Sequence, residues 1–275
     1  MRALLASFGL AALVVSQVAA QGIVVAPHAV YVDHGTRSAS ITLYNPGAKS
    51  VEVAISSIFA YPVTDSAGQL TLFTPDSVEP SMPSAAGWIE AFPKRMVIQP
   101  LQRQTVRLLA RPPQGLPAGE YWSRVIISAR DAAPLPTATD SERVTIGFSL
   151  EVRTIIPLTY RKGALKTGLS ATNLQVLPAG DSLVVKAKLT RQGTAAYIGT
   201  AKGTLLNLAG KAVASFEEPI AVYFDVDPVF SLGTRGLPAG QYRLRLEFVS
   251  ERPDISPDLL LRAPPVRDSL EVRLP

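Results

Sequence analysis

The hexapeptide Leu116-Pro117-Ala118-Gly119-Glu120-Tyr121 returns 121 residues later as Leu237-Pro238-Ala239-Gly240-Gln241-Tyr242. Each copy is a proline–glycine turn that delivers a tyrosine into a strand-like run, Trp122 to Ser128 in the first and Arg243 to Val249 in the second. Around these copies the hydrophobic period is two. Ser38-Ala39-Ser40-Ile41-Thr42-Leu43-Tyr44 alternates up to the turn cluster Asn45-Pro46-Gly47, and Val51 to Ser56, Thr105 to Leu108 and Ser123 to Ser128 follow the same rule. Short runs rich in Val, Ile and Thr, bounded by Pro, Gly, Asn and Asp, read as half-buried strands. No twelve-residue segment beyond the N-terminal twenty carries an apolar stripe at helical spacing. Strands of this kind must each bury one face against a second sheet, which predicts an all-β chain of antiparallel sandwiches.

A turn feeding a Tyr at the start of a late strand matches the tyrosine corner of immunoglobulin-like sandwiches, where the phenol packs inside and its hydroxyl satisfies an upstream backbone group. Two copies predict two such domains in tandem. The alternative is a common turn used twice, since Leu177-Pro178-Ala179-Gly180 recurs without the Tyr. A length of 275 residues suits one large domain or two ordinary ones, each able to bury a core. The join falls near Tyr160-Arg161-Lys162-Gly163, giving domains 21–160 and 164–275. Before it, Val144 to Arg153 is the longest alternating run; after it, Leu183 to Leu189 begins a fresh set of strands. Ala132 to Thr139 reads as a Pro/Thr/Ala loop, and Leu70-Thr71-Leu72-Phe73 predicts a hairpin inside the long polar stretch from Thr64 to Ser84.

Residues 1–20 form an export signal in this reading. Met1-Arg2 is a short positive start, Ala3 to Val15 is an apolar run too short to span a bilayer, and Val18-Ala19-Ala20 supplies small residues for cleavage after Ala20. The mature protein would then lie in the periplasm without a membrane span. No cysteine occurs, which excludes disulfides, thiolate metal sites, thiol nucleophiles and lipoprotein anchoring. Two histidines, His28 and His34, leave little for imidazole chemistry. The net charge of +5 is a mild basic excess that does not indicate nucleic acid as a partner. No nucleophile elbow or phosphate loop is present, and Asp225-Val226-Asp227 lacks the glycine and terminal Glu of a calcium loop. Trp88 and Trp122 read as core or cleft aromatics. Composition points away from an enzyme and implies no cofactor.

Several runs together carry a family likeness: Ile23 to Tyr31, Ser40 to Pro46, Ile98 to Leu108, Leu116 to Tyr121, and Val144 to Arg153 leading into Ile156-Pro157-Leu158-Thr159-Tyr160-Arg161. With these in their order and spacing, residues 22–160 resemble the N-terminal domain of the periplasmic chaperones of chaperone–usher pilus assembly. The resemblance implies a binding protein whose partners are pilin-like or other exported β-rich subunits, with an outer-membrane usher as a further partner. It also implies that the chaperone lends its long strand to an incomplete sandwich, main-chain bonds giving affinity and alternating side chains filling the groove. The donor residues would be Val144, Ile146, Phe148, Leu150 and Val152, which share one face at period two. Alternation alone leaves open whether that face instead packs the protein's own core.

The family clamps the subunit's terminal carboxylate with an Arg and a Lys. Alignment here puts His28 and Pro157 at those places, so an anchor would have to draw on His28, Arg153, Arg161 or Lys162. Residues 164–275 align with no part of the family. The other reading is an exported cell-envelope protein with immunoglobulin-like domains that scaffolds its partners without strand donation.

Overall fold

The computed structural model describes residues 22–132 and 150–275, so the leader and the first part of the long alternating run lie outside the described residues. The first half has eleven strands among the described residues, nine of them in the sandwich. In chain order they are β1 (Val24–Ala26), β2 (Val30–Asp33), β3 (Ser38–Tyr44), β4 (Val51–Ile58), β5 (Tyr61–Thr64), β6 (Leu70–Phe73), β7 (Ile89–Phe92), β8 (Arg95–Ile98), β9 (Arg103–Ala110), β10 (Gly119–Asp131) and β11 (Glu151–Lys162). One sheet has the order β1-β3-β9-β7 and the other β2-β11-β10-β4-β8, with β5 and β6 set apart as a hairpin. Period-two alternation sends Leu43, Val53, Ile55, Leu108, Val125, Ile127, Leu158 and Tyr160 into one shared core. All pairings are antiparallel except that of β2 with β11.

The second sandwich takes β12 (Thr167–Ala179), β13 (Ser182–Gly193), β14 (Tyr197–Leu206), β15 (Ala212–Val222), β16 (Asp225–Val226), β17 (Val229–Gly233), β18 (Gly240–Val249) and β19 (Val266–Leu274). Here β12 pairs with β13, β13 pairs in turn with the short β16 and β17, and the facing sheet has the order β15-β14-β18-β19. Its core is separate and gathers Leu183, Leu189, Leu205, Phe230, Leu244 and Phe248. The described residues contain no α-helix, only two three-residue 3₁₀ turns.

Both tyrosine corners are built. The Tyr121 hydroxyl donates to the Pro117 carbonyl at 3.0 Å, and that of Tyr242 donates to the Pro238 carbonyl at 2.8 Å. Each bond reaches back four residues across the Pro-Ala-Gly turn, which fixes where the following strand enters its sheet. The fully buried Asn45 performs a similar task at the Asn-Pro-Gly turn: its amide donates to the Lys49 and Ile98 carbonyls and its oxygen accepts from Gly47 N–H. A buried amide must find such partners, so this turn is tied to the end of β8.

The β5–β6 hairpin is the one expected within the long polar stretch. Asp65 Oδ1 accepts from the N–H groups of Ala67 and Gln69, and Gly68 closes the turn at φ +76°, a left-handed conformation that glycine adopts without steric cost. The hairpin also reaches the second sandwich. The Gly68 carbonyl accepts from Val229 N–H at 2.9 Å, and Thr64 Oγ1 accepts from Asp227 N–H at 3.0 Å. A β-carbon at Gly68 would stand 2.1 Å from a Val229 methyl, so this approach needs glycine twice over.

Candidate functional site

Strand β11 pairs with two neighbours, over different parts of its length. All twelve of its residues pair with β10, but only Leu158–Arg161 also pair with β2. From Glu151 to Pro157 the outer edge of β11 has no strand beside it among the described residues. Ile156, Leu158 and Tyr160 point into the first core. Leu150 and Val152 have the same parity, yet Val152 is half-buried and Leu150 is 61% exposed. Val152, opposite the core residue Ala129, and the exposed Leu150 thus continue the inward face of β11 where its outer edge has no strand beside it among the described residues. Val144, Ile146 and Phe148, the rest of the expected donor set, lie outside the described residues.

The four candidate anchor residues are not brought together. His28 is exposed in the bend between β1 and β2. Arg153 pairs with Glu151 at 2.5 Å on the surface, eight residues and so about 26 Å along the strand from Arg161. The Lys162 ammonium donates to the Leu116 carbonyl. Arg161 is spent within the protein: its Nε donates to Glu120 Oε2 at 2.9 Å, another of its nitrogens donates to the Leu259 carbonyl, and its guanidinium lies 4.4 Å from the centre of the Tyr31 ring. Pro157, at the second family position, sits opposite Arg124 in the β10–β11 ladder.

What the sequence reading missed is Glu120. Its side chain is 2% exposed and lies between the sandwiches. Oε1 accepts from Trp122 Nε1 at 2.8 Å and from Ala196 N–H at 3.0 Å, while Oε2 takes Arg161. A buried carboxylate is tolerated because every lone-pair direction in use meets a donor, one of them cationic. Around it Trp122 meets Tyr223 at 4.6 Å and Phe224 at 5.5 Å, and Arg124 and Arg191 lie over Tyr223 and Trp122. Phe59, Trp122, Ala196 and Tyr223 form a small apolar cluster of their own at this junction. The signal was present in the repeated hexapeptide, whose copies differ only at Glu120 and Gln241.

The other singled-out residues have structural surroundings. Trp88 packs on the first core with Tyr121 at 5.1 Å and Tyr160 at 5.8 Å. The His34 ring is hydrogen-bonded to the Tyr160 hydroxyl. Among the described residues no cluster of three or more His, Asp or Glu could hold a metal ion, and no helix is long and apolar enough to cross a membrane.

Burial of the junction shows in its phenols. Burial pushes the Tyr31 hydroxyl up to about 12, against the pull of the Arg161 charge, and burial also raises Tyr223. A folded-state value above the unfolded value of about 10 means that this contribution to stability is complete below that pH. It is lost as pH rises toward the folded value, because the unfolded chain gives up the proton more readily. Alkaline titration should accordingly show phenolate absorbance from these residues appearing together with loss of the β-sheet circular dichroism signal. Phenolate from all eight tyrosines before any unfolding would contradict the burial described.

Neither a family model nor a curated protein matches the sequence. Solved structures do. The chain is similar to the YadV chaperone, at 15% identity and a TM-score of 0.48 over 92% of this chain and 99% of that one. It is also similar to a chain of the Salmonella enterica SafA pilin complex with the SafB chaperone, at 16% identity and a TM-score of 0.43, covering 90% and 96%. A third is the CsuC–CsuE chaperone–tip adhesion subunit pre-assembly complex from the archaic chaperone–usher Csu pili of Acinetobacter baumannii, at 14% identity and 0.44, covering 91% and 97%. These likenesses concern the fold, two β-sandwiches in tandem.

Proposed function

We propose that the protein is a periplasmic chaperone of the chaperone–usher type, exported by residues 1–20 and without enzymatic activity of its own. It holds exported, incomplete β-sandwich subunits by lending them the strand 144–153 and passes them to an outer-membrane usher. The observation that carries this reading is the edge of β11 from Glu151 to Pro157, which has no strand beside it among the described residues, together with the exposed Leu150. An unpaired edge offers main-chain donors and acceptors to a second chain, and side chains at period two select what fits. The engagement of Arg161 and Lys162 inside the protein supports a mode of binding that rests on the strand without a carboxylate clamp made from those two residues.

The test is the double substitution Ile146→Asp and Phe148→Asp. Exposed side chains outside a core change stability by no more than about 0.5 kcal/mol, so the urea midpoint should hold while small exported β-proteins no longer co-purify from the periplasm. An unfolded variant would assign these side chains to the protein's own core and end the donor reading. That outcome would favour an envelope scaffold, in which residues 164–275 expressed alone retain binding.

A further inference from the structure

The first sandwich is open along one seam. A cavity of about 650 Å³ lies between β7 and β4, and its floor is made of core side chains, Leu108 and Val125, with Ile55, Ile89 and Ala91 on the walls. That volume is in the range of pockets that hold real ligands. Both rims are strand edges. The Trp88 carbonyl accepts from Arg111 N–H, and antiparallel alternation then turns the backbone groups of Ile89 and Ala91 away from β9, the sole strand partner of β7 among the described residues. Across the seam Ile55 N–H bonds the Lys94 carbonyl, where the chain crosses between the sheets. Beyond that crossing, Ser57 presents its N–H and C=O outward with no strand beside them among the described residues, since β8 covers β4 only from Val51 to Ala54.

Unsatisfied strand edges above an apolar floor recognise an extended polypeptide, because only another strand supplies both the hydrogen bonds and the alternating side chains. The charge around the seam narrows the sequence. Glu90 is neutralised by Arg111 at 3.1 Å. Lys94 on the cavity wall, Arg107 opposite the 49% exposed Phe92, and Arg95 are exposed cations with no ion pair among the described residues. The rim is therefore positive.

We propose that this seam is a second polypeptide-binding site, distinct from strand 144–153. It takes a short extended apolar segment flanked by acidic residues, which adds to the outer edge of β7. Four residues, about 13 Å of strand, match the length of that edge. Alternate side chains of the segment drop onto Leu108 and Val125, and its acids meet Lys94 and Arg107.

The probe is a fluorescent nonapeptide of alternating Ile and Thr between pairs of Asp, with a Lys-flanked copy as control. Anisotropy should show binding of the acidic peptide that is at least about tenfold tighter than that of the basic one at low salt, as expected for pairing at a charged rim. Hydrogen exchange should then slow at the Ile89 and Ala91 amides. Ala91→Pro removes an outward N–H without touching the β7–β9 ladder, as edge proline allows, and should weaken binding about tenfold. Lys94→Glu, a surface change that keeps the fold, should do the same if the proline variant fails to fold. The double substitution at Ile146 and Phe148 should leave peptide binding unaltered. Equal affinity for both peptides, no effect of Lys94→Glu, or protection at residues 151–157 in place of 89–91 would each overturn the proposal.

Discussion

Replacing Glu120 by alanine is expected to destabilise the protein by about 3–5 kcal/mol, the usual consequence of removing one member of a buried ion pair. The reason is what remains. The Arg161 guanidinium, with its side chain 18% exposed, would keep its place over Tyr31 and lose its counter-charge. Trp122 Nε1 and Ala196 N–H would lose their acceptor in the same step. Urea denaturation measures the loss. Glu120→Gln should cost less, because an amide oxygen can still accept from two of the three donors. The alanine variant should also become sensitive to protease at residues 163–166, the short link between the sandwiches. A cost below about 1 kcal/mol, the level of an exposed pair, would mean that the junction does not depend on this carboxylate.

Trp122→Ala should cost a similar amount, about 3–5 kcal/mol for a large aromatic removed from a packed site. Trp122 is 2% exposed and is shared between the two sandwiches, against Tyr223, Phe224 and the Arg191 guanidinium. Because Trp122 also donates to Glu120, the two losses should not add. Residues in one network show coupling of about 0.5–3 kcal/mol, so the double variant should be less destabilised than the sum of the single ones. Strict additivity would show that the indole and the carboxylate act as separate contacts.

The sequence made the strands legible because each strand needs only local alternation. Ser38–Tyr44 became β3 residue for residue, and the Leu70-Thr71-Leu72-Phe73 run became β6 of a hairpin. The corners were legible for the same reason: donor and acceptor lie four residues apart, inside the quoted repeat. The junction was not. Glu120 meets Ala196 across 76 positions, and Arg161 meets Leu259 across 98, so no local pattern announces either contact. Alignment points to His28 and charge to Arg153, Arg161 and Lys162, but charge does not reveal whether a guanidinium is already occupied. Arg161 is, by Glu120. The two copies of the turn place their variable residue differently: Gln241 is exposed while Glu120 is buried.

The position of β11 has a mechanical meaning. A partner bound to the proposed donor strand would pull near Leu150, and the other end of β11 at Arg161 is tied to the junction. A tension applied along the strand loads its twelve antiparallel pairs with β10 side by side, in shear, and the four parallel pairs with β2 resist in the same direction. A load shared in this way cannot open the ladder one bond at a time, as peeling from an end would. Force on the strand therefore passes through the first sandwich toward the Arg161–Glu120 contact, where Glu120 also bonds Ala196 of the second.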